Sequence, residues 1–366
     1  MQKVILHLIL SILFFLLCAP AFGFSANDGD TTQIKNQILA YPIIYYLPET
    51  RWGFGGAGFY TFRFSDEPLN SNPSQIQFTF SITQKKQYIF TIPFEIYRNK
   101  NLWKFKGEVS YYRYLYNFYG IGLNSKFAEK ETFNANYPRI RIDILRRFKS
   151  VYAGIRIRYD NMVINGLKNN GLIESTKLTG KDGGTSSGIG LVAQLDTRNY
   201  IYNPSSGIYS EAEIFTNDKF FHSDFSYKRY SLDLVKYTSL AENHTLALQI
   251  YTASIAGNPF FYDMLYFGSP RIMRGFQDRR FKDRNILVLQ SEYRFPIYKR
   301  LQGVGFLSTG SVSNKYMDLF SNEYKLSYGS GLRFILNEKD RIRLRVDYGL
   351  TLHEGGSFYI TINEAF

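Results

Sequence analysis

From about residue 38 onward, apolar and polar side chains alternate with period two. In 75–83, Ile76, Phe78, Phe80 and Ile82 share one face, and Gln77, Thr79 and Ser81 take the other. In 88–96 the apolar face is Tyr88, Phe90, Ile92, Phe94 and Ile96. The run 139–144 sets Ile140, Ile142 and Ile144 against Arg139, Arg141 and Asp143, and 154–160 sets Ile155, Ile157 and Tyr159 against Arg156, Arg158 and Asp160. In 341–350, Ile342, Leu344, Val346, Tyr348 and Leu350 alternate with Arg341, Arg343, Arg345 and Asp347. Side chains of a β-strand point to opposite faces in turn, so this period predicts strands with one apolar and one charged face.

Sixteen strands are predicted, near 38–47, 52–64, 75–84, 87–97, 102–114, 134–147, 150–161, 187–197, 206–216, 226–239, 243–256, 284–295, 303–313, 323–336, 340–351 and 357–366. The first is the weakest, because Pro42 and Pro48 suit only an edge or an irregular strand. Bacterial single-chain barrels have even strand numbers, which sixteen satisfies and which leaves fourteen open. A soluble sandwich also alternates, but its polar faces meet bulk water and its apolar faces meet in one core. Here nearly every strand carries a continuous apolar face and has the length needed to cross a bilayer. The expected fold is an all-β, antiparallel transmembrane β-barrel over 38–366, apolar side chains towards lipid and charged ones lining a wet interior.

The start of the chain supports that address. Lys3, the apolar run 4–17 and Ala21-Phe22-Gly23 have the form of a signal peptide cleaved after residue 23. The run is too short for a transmembrane helix. Leu17 before Cys18 is not the small residue of a lipoprotein signal, and Cys18 is the chain's single cysteine. Residues 24–37 then form a short periplasmic segment. Removing 1–23 changes the formal charge from +13 to +12. Basicity alone permits nucleic-acid binding, but an exported chain meets phosphate-bearing lipids and lipopolysaccharide instead, so no nucleic-acid partner is expected.

A long, polar and arginine-rich stretch is 268–284, with Arg271, Arg274, Arg279, Arg280, Lys282 and Arg284 against Asp278 and Asp283. Hairpin loops usually run only a few residues. One reading is a solvated surface loop. The other is a loop folded into a polar cavity, with Arg274 as a bidentate anchor on a carboxylate. In 284–295, Gln290, Glu292 and Arg294 share the polar parity, which turns Glu292 inward.

Several motifs now converge. Asp196-Thr197-Arg198-Asn199 followed by Pro204-Ser205-Ser206-Gly207, then Met273-Arg274-Gly275-Phe276, Ser291-Glu292-Tyr293-Arg294-Phe295-Pro296 and a chain end at Phe366 occur in this order. The pattern resembles the bacterial surface antigen superfamily, which includes BamA, TamA and the two-partner secretion transporters. The resemblance is specific over 187–366 and looser back to about residue 40. It implies that Arg274, Gly275 and Phe276 form the anchor of a loop that dips into the barrel, with Glu292 as its partner. It also implies that Asp196, Arg198, Pro204 and Gly207 are a family motif and that Phe366 is an assembly signal read by the barrel assembly machinery. Two departures stand out. Many members place an aspartate two residues before a glycine on the next strand, where this chain has Ser308 before Gly310; the second carboxylate is then missing or is supplied by Asp347. The segment before the first strand is also too short for the periplasmic POTRA domains of BamA and TamA, which places the chain in a short branch of the superfamily.

Chemistry of other kinds has little support. His222, His244 and His353 show no metal-ligand spacing, and no nucleophile falls beside His244 by strand parity. No enzyme, metal or cofactor is expected. Gly53, Gly55, Gly56 and Gly58 lie in a strand pattern rather than a phosphate loop. Two functions remain open: translocation or insertion of protein or lipid through a weak seam between the first and last strands, and a passive channel or anchoring barrel that works with a separate periplasmic or surface partner.

Overall fold

A computed structural model describes residues 36–47, 51–201, 203–337, 342–362 and 364–366. The signal peptide, Cys18 and nearly all of the 24–37 segment lie outside the described residues. Sixteen long strands form one antiparallel sheet in which each pairs with its neighbour in sequence. They are β1 (Gln37–Leu47), β2 (Arg51–Phe62), β3 (Ser74–Thr83), β4 (Tyr88–Arg98), β5 (Trp103–Phe118), β6 (Glu131–Phe148), β7 (Val151–Asn165), β8 (Gly183–Asp196), β9 (Gly207–Asn217), β10 (Ser226–Ala241) and β11 (His244–Asn258). Two three-residue strands, β12 (Leu265–Phe267) and β13 (Phe281–Asp283), form a separate hairpin within the long connection. The sheet resumes with β14 (Asn285–Tyr298), β15 (Leu301–Ser313), β16 (Lys325–Asn337), β17 (Ile342–Thr351) and β18 (Gly356–Ile362).

The alternation in sequence becomes two chemically opposite faces. Phe78, Phe80 and Ile82 of β3, Leu248 and Ile250 of β11, and Phe358 and Ile360 of β18 are exposed, whereas Arg156, Glu213, Glu292, Arg333 and Asp347 are buried on the other face. This is the reverse of a water-soluble sheet and is the arrangement a bilayer favours, since lipid solvates the apolar face. Pro42 opposes Gly56 on edge strand β1, where a missing N–H leaves no central ladder bond unmade. Ladders join every consecutive pair of long strands; among the described residues none joins β1 to β18.

The meander places successive connections at alternate ends of the sheet. One end has the tight turns, such as 242–243, where Asn243 takes φ +60°, a left-handed conformation asparagine tolerates well. The other end gathers the long connections 119–130, 166–182, 218–225 and 259–284. Between these, Phe118, Phe133, Phe225, Phe260, Phe261, Phe267, Phe276 and Phe281 pack into one buried aromatic cluster. The cluster explains why β5 and β6 extend beyond their expected limits at 114 and 134. At that end the inward positions Tyr116, Phe118 and Phe133 change from polar to aromatic because they pack against loops. Arg280, from the 259–284 connection, bonds both Ser125 beyond β5 and Glu354 before β18. The sheet therefore curls until distant strands come within reach of one side chain.

Candidate functional site

The 259–284 connection folds back onto the polar face, and its local geometry starts with glycine. Gly268 has φ +97°, and its N–H donates to Ile272 O, which also accepts from Ser269 N. Ser269 Oγ accepts from Ile272 N at 2.9 Å, as a short hydroxyl does in a turn. Met273 follows with φ +52° and donates its N–H to Gln290 Oε1 of β14 at 2.8 Å. Gly275 has φ +115°, and a Cβ there would lie 2.9 Å from Leu350 O. Only glycine meets both the left-handed backbone and the close approach to β17.

This turn delivers Arg274. Its Nη2 donates to Glu292 Oε2 at 2.5 Å and its Nη1 to Asp347 Oδ2 at 2.5 Å, with all three side chains fully buried. The guanidinium lies 3.7 Å over the Phe306 ring, so its edge is held by charge-assisted bonds and one face by a cation–π contact. Each carboxylate has a second arginine: Arg294 Nε donates to Glu292 Oε1 at 2.8 Å, and Arg333 bonds Asp347. Arg345 bonds Pro270 O at 2.9 Å and Thr361 Oγ1 at 2.6 Å. Gln290 joins Gln249, Arg271 O and Ser308 around the base of the turn. Ser308 thus binds Gln290, and the second carboxylate is Asp347.

The other sequence-predicted residues fall around this site. Phe276 packs against Phe267 and Phe281. Asp196 holds Arg198 through two bonds, at 2.8 and 2.6 Å, and Arg198 lies 4.7 Å over Tyr209. Gly207 has φ +106° and sits where a Cβ would meet Thr197 O at 2.4 Å. Pro204 O accepts from Arg294 Nη1 at 3.2 Å, which joins the 197–206 turn to the Arg274 cluster. Phe366 is also brought here. β18 ends at Ile362 instead of continuing to 366, and the last three residues turn onto the polar face.

Sequence reasoning missed Arg333, Tyr359 and Gly349. Tyr359 OH accepts from Gly275 N at 3.0 Å, and a Cβ on Gly349 would lie 2.5 Å from that same nitrogen. The signal for Gly349 was present: Asp347-Tyr348-Gly349 repeats the aspartate-x-glycine spacing, on β17 rather than β15. Elsewhere in the connection, Lys282 is buried against Phe118 and Phe261, and this desolvation, with Arg279 nearby, lowers its pKa to about 7. Among the described residues, no three His, Cys, Asp or Glu side chains gather where they could hold a metal.

Residues 70–366 match the Omp85 superfamily domain. The chain belongs to the Omp85 superfamily. A comparison with curated proteins finds no match. Among solved structures, BamA from Haemophilus ducreyi lacking POTRA domains 1–3 is similar, with 11% identity and a TM-score of 0.58 over 90% of this chain and 69% of that one. CdiB from Escherichia coli gives 11% identity and a TM-score of 0.60 over 94% and 67%. CdiB from Acinetobacter baumannii gives 13% identity and 0.54 over 90% and 59%. At such identities the likeness to each structure is one of fold. Membership of the Omp85 superfamily places the chain in the outer membrane of a Gram-negative bacterium, within a family of translocation and insertion factors.

Proposed function

We propose that the sixteen-stranded sheet closes into a barrel, that the 259–284 connection plugs its lumen, and that the protein translocates or inserts a protein or lipid. One observation carries this reading: Arg274 is forked between Glu292 and Asp347 from β14 and β17, with no exposure on any of the three side chains. A solvated surface loop has no reason to desolvate a guanidinium, whereas an internal plug needs a fixed anchor. Curvature sufficient for Arg280 to reach Ser125 and Glu354 favours closure. The seam between β1 and β18 is the weak point, because Pro42 lies on one edge and the ladder of the other stops at Ile362. Outer-membrane lipids, lipopolysaccharide, the barrel assembly machinery and a separate periplasmic or surface partner are the neighbours this role requires.

The test is single-channel conductance of the refolded protein in planar bilayers, wild type beside Arg274→Ala. Small, flickering openings that enlarge in the variant support a plugged, gated scaffold. Large and steady openings in both sink the plug and leave a passive channel or anchoring barrel.

A further inference from the structure

On the outer face of the sheet, one line of residues joins a cation to an apolar groove. Trp103 opposes Arg146, Arg146 opposes Ala153, Ala153 opposes Ala193, and Ala193 opposes Ala212. Arg146 has the parity of Ile140, Ile142 and Ile144, so it stands on the apolar face, two residues before β6 ends at Phe148. Its guanidinium lies 5.8 Å from the Trp103 ring and 5.5 Å from the Phe148 ring. The next three positions in the line are alanines, and the row above them is bulky: Ile155 opposes Leu191, which opposes Ile214. The small row beside the tall one leaves a groove of about 810 Å³. Tyr316 bounds its far end, where the phenol meets Thr252 Oγ1 at 3.3 Å. From Arg146 to Ala212 the floor crosses three strand spacings, ~14 Å at ~4.8 Å each. That is about half of a ~30 Å hydrocarbon core, the share of one leaflet.

The cation at the mouth of the groove is one of four. Lys100, Arg146, Arg147 and Lys149 are exposed on or beside two hairpin turns, 99–102 and 149–150. Arg147 Nη2 donates to Lys100 O at 3.0 Å and Tyr152 OH to Asn101 O at 2.7 Å, which holds the turns side by side. Among the described residues, none of these four side chains pairs with a carboxylate. The acids of the neighbouring 63–73 connection are engaged elsewhere. Asp66 is held by Arg98 at 2.8 Å, and Glu67 accepts from the main-chain N–H groups of Asn99 and Lys100. In bacterial outer-membrane barrels the short turns face the periplasm. The four cations therefore stand at the inner leaflet, among phospholipid headgroups.

We propose that the β6–β9 face is a binding site for one anionic phospholipid of the inner leaflet. The phosphate sits on Arg146 with Arg147 and Lys149, and one acyl chain lies along Ala153, Ala193 and Ala212. Arginine suits the phosphate because its planar fork binds two oxygens at once. Trp103 and Phe148 flank the guanidinium and keep it at the boundary between headgroup and hydrocarbon. Charge selects an anionic lipid over a zwitterionic one, since four cations gather without a carboxylate to balance them. The continuity of cation and groove selects a lipid over an acidic protein, because a periplasmic protein does not reach the alanines inside the apolar band. The site rests on the outer-membrane address and not on whether the 259–284 connection plugs a lumen.

The experiment is native mass spectrometry of the refolded full chain in detergent, titrated with equal amounts of dioleoyl phosphatidylglycerol and dioleoyl phosphatidylcholine. The first lipid retained should be phosphatidylglycerol by ~10-fold, the scale of a charge-assisted hydrogen bond. Arg146→Gln should remove most of that preference. Lys228→Gln, which deletes an exposed cation at the other end of the sheet, should keep it. Ala193→Leu fills the groove without changing charge and should lower phosphatidylglycerol occupancy ~5-fold. Equal retention of the two lipids by the wild type overturns the proposal and leaves the cations to an acidic periplasmic protein. Unchanged preference in Arg146→Gln, or unchanged occupancy in Ala193→Leu, overturns it as well. Should Arg146→Gln not refold, Lys149→Gln in the adjacent turn is judged by the same loss of preference.

Discussion

Arg274 and Asp347 are 73 residues apart in sequence and meet at 2.5 Å, with neither side chain exposed. The contact ties a loop between β11 and β14 to β17, three strands further along the sheet. Glu292 lies on the intervening path, so a single guanidinium fixes the loop to two strands that do not neighbour each other. Such a clamp restrains the loop and the curvature of the sheet together.

Removing the clamp should therefore be costly. Arg274→Ala leaves Glu292 and Asp347 buried with one arginine fewer, and breaking a buried pair by deleting one partner typically costs about 3–5 kcal/mol. Arg274→Lys keeps the charge without the planar fork and is expected to lie between wild type and alanine. The check is the temperature at which the folded, fast-migrating band is lost on unheated gels. Equal midpoints for wild type and Arg274→Ala would show that the pair does not hold the fold.

The glycines should behave as a contact in their own right. A Cβ on Gly349 would stand 2.5 Å from Gly275 N and 2.7 Å from Arg274 C, both backbone atoms with little room to yield. Gly349→Ala is expected to cost about 1–3 kcal/mol by overpacking and to displace the turn that presents Arg274. Limited proteolysis would then cut within 259–284 in the variant and spare the wild type. An uncut variant would mean that the turn relaxes without releasing the loop.

The period of two pointed to sixteen long strands, with fourteen left open, and to their two faces, because lipid and buried charge impose opposite demands on alternate positions. Arg274, Gly275 and Glu292 were legible through the family resemblance, with strand parity turning Glu292 inward and Gly275 suited to a sharp turn. Asp347 stood as one of two alternatives, since sequence does not reveal which strand a curled sheet brings to a loop. The aromatic cluster was not legible. Phe118 and Phe133 have the parity of interior positions yet face other loops, so their strands seemed to end early. The turn of Glu364 was also hidden, because a strand pattern does not say where its ladder stops.

Arg294 links three parts of the site: Glu292, Pro204 of the 197–206 turn, and Phe366. Arg294→Ala and Arg274→Ala share Glu292, so their effects should not add. A coupling of about 0.5–3 kcal/mol is expected in a double-mutant cycle on the unfolding midpoint in urea. Simple additivity would separate Arg294, with the family motif it contacts, from the loop anchor.

The last prediction concerns pH. The Lys282 side chain is 2% exposed, lies 5.6 Å from the rings of Phe118 and Phe261, and has only Phe261 O at 3.5 Å as a polar partner among the described residues. Burial lowers its pKa from 10.5 to about 7. Between those values the unfolded loop binds more protons than the folded one, so folding of the loop becomes more favourable as pH rises, by at most ~1.4 kcal/mol per unit. Below about pH 7 both states carry the charge, the cost of burying it is fully present, and this lysine adds no further slope. Protection of 259–284 from protease should therefore increase from pH 7 to pH 10. Lys282→Met should show higher protection at pH 7 and lose the rise, because it removes the charge that must be desolvated. A rise of the same size in Lys282→Met would assign the pH dependence to another group.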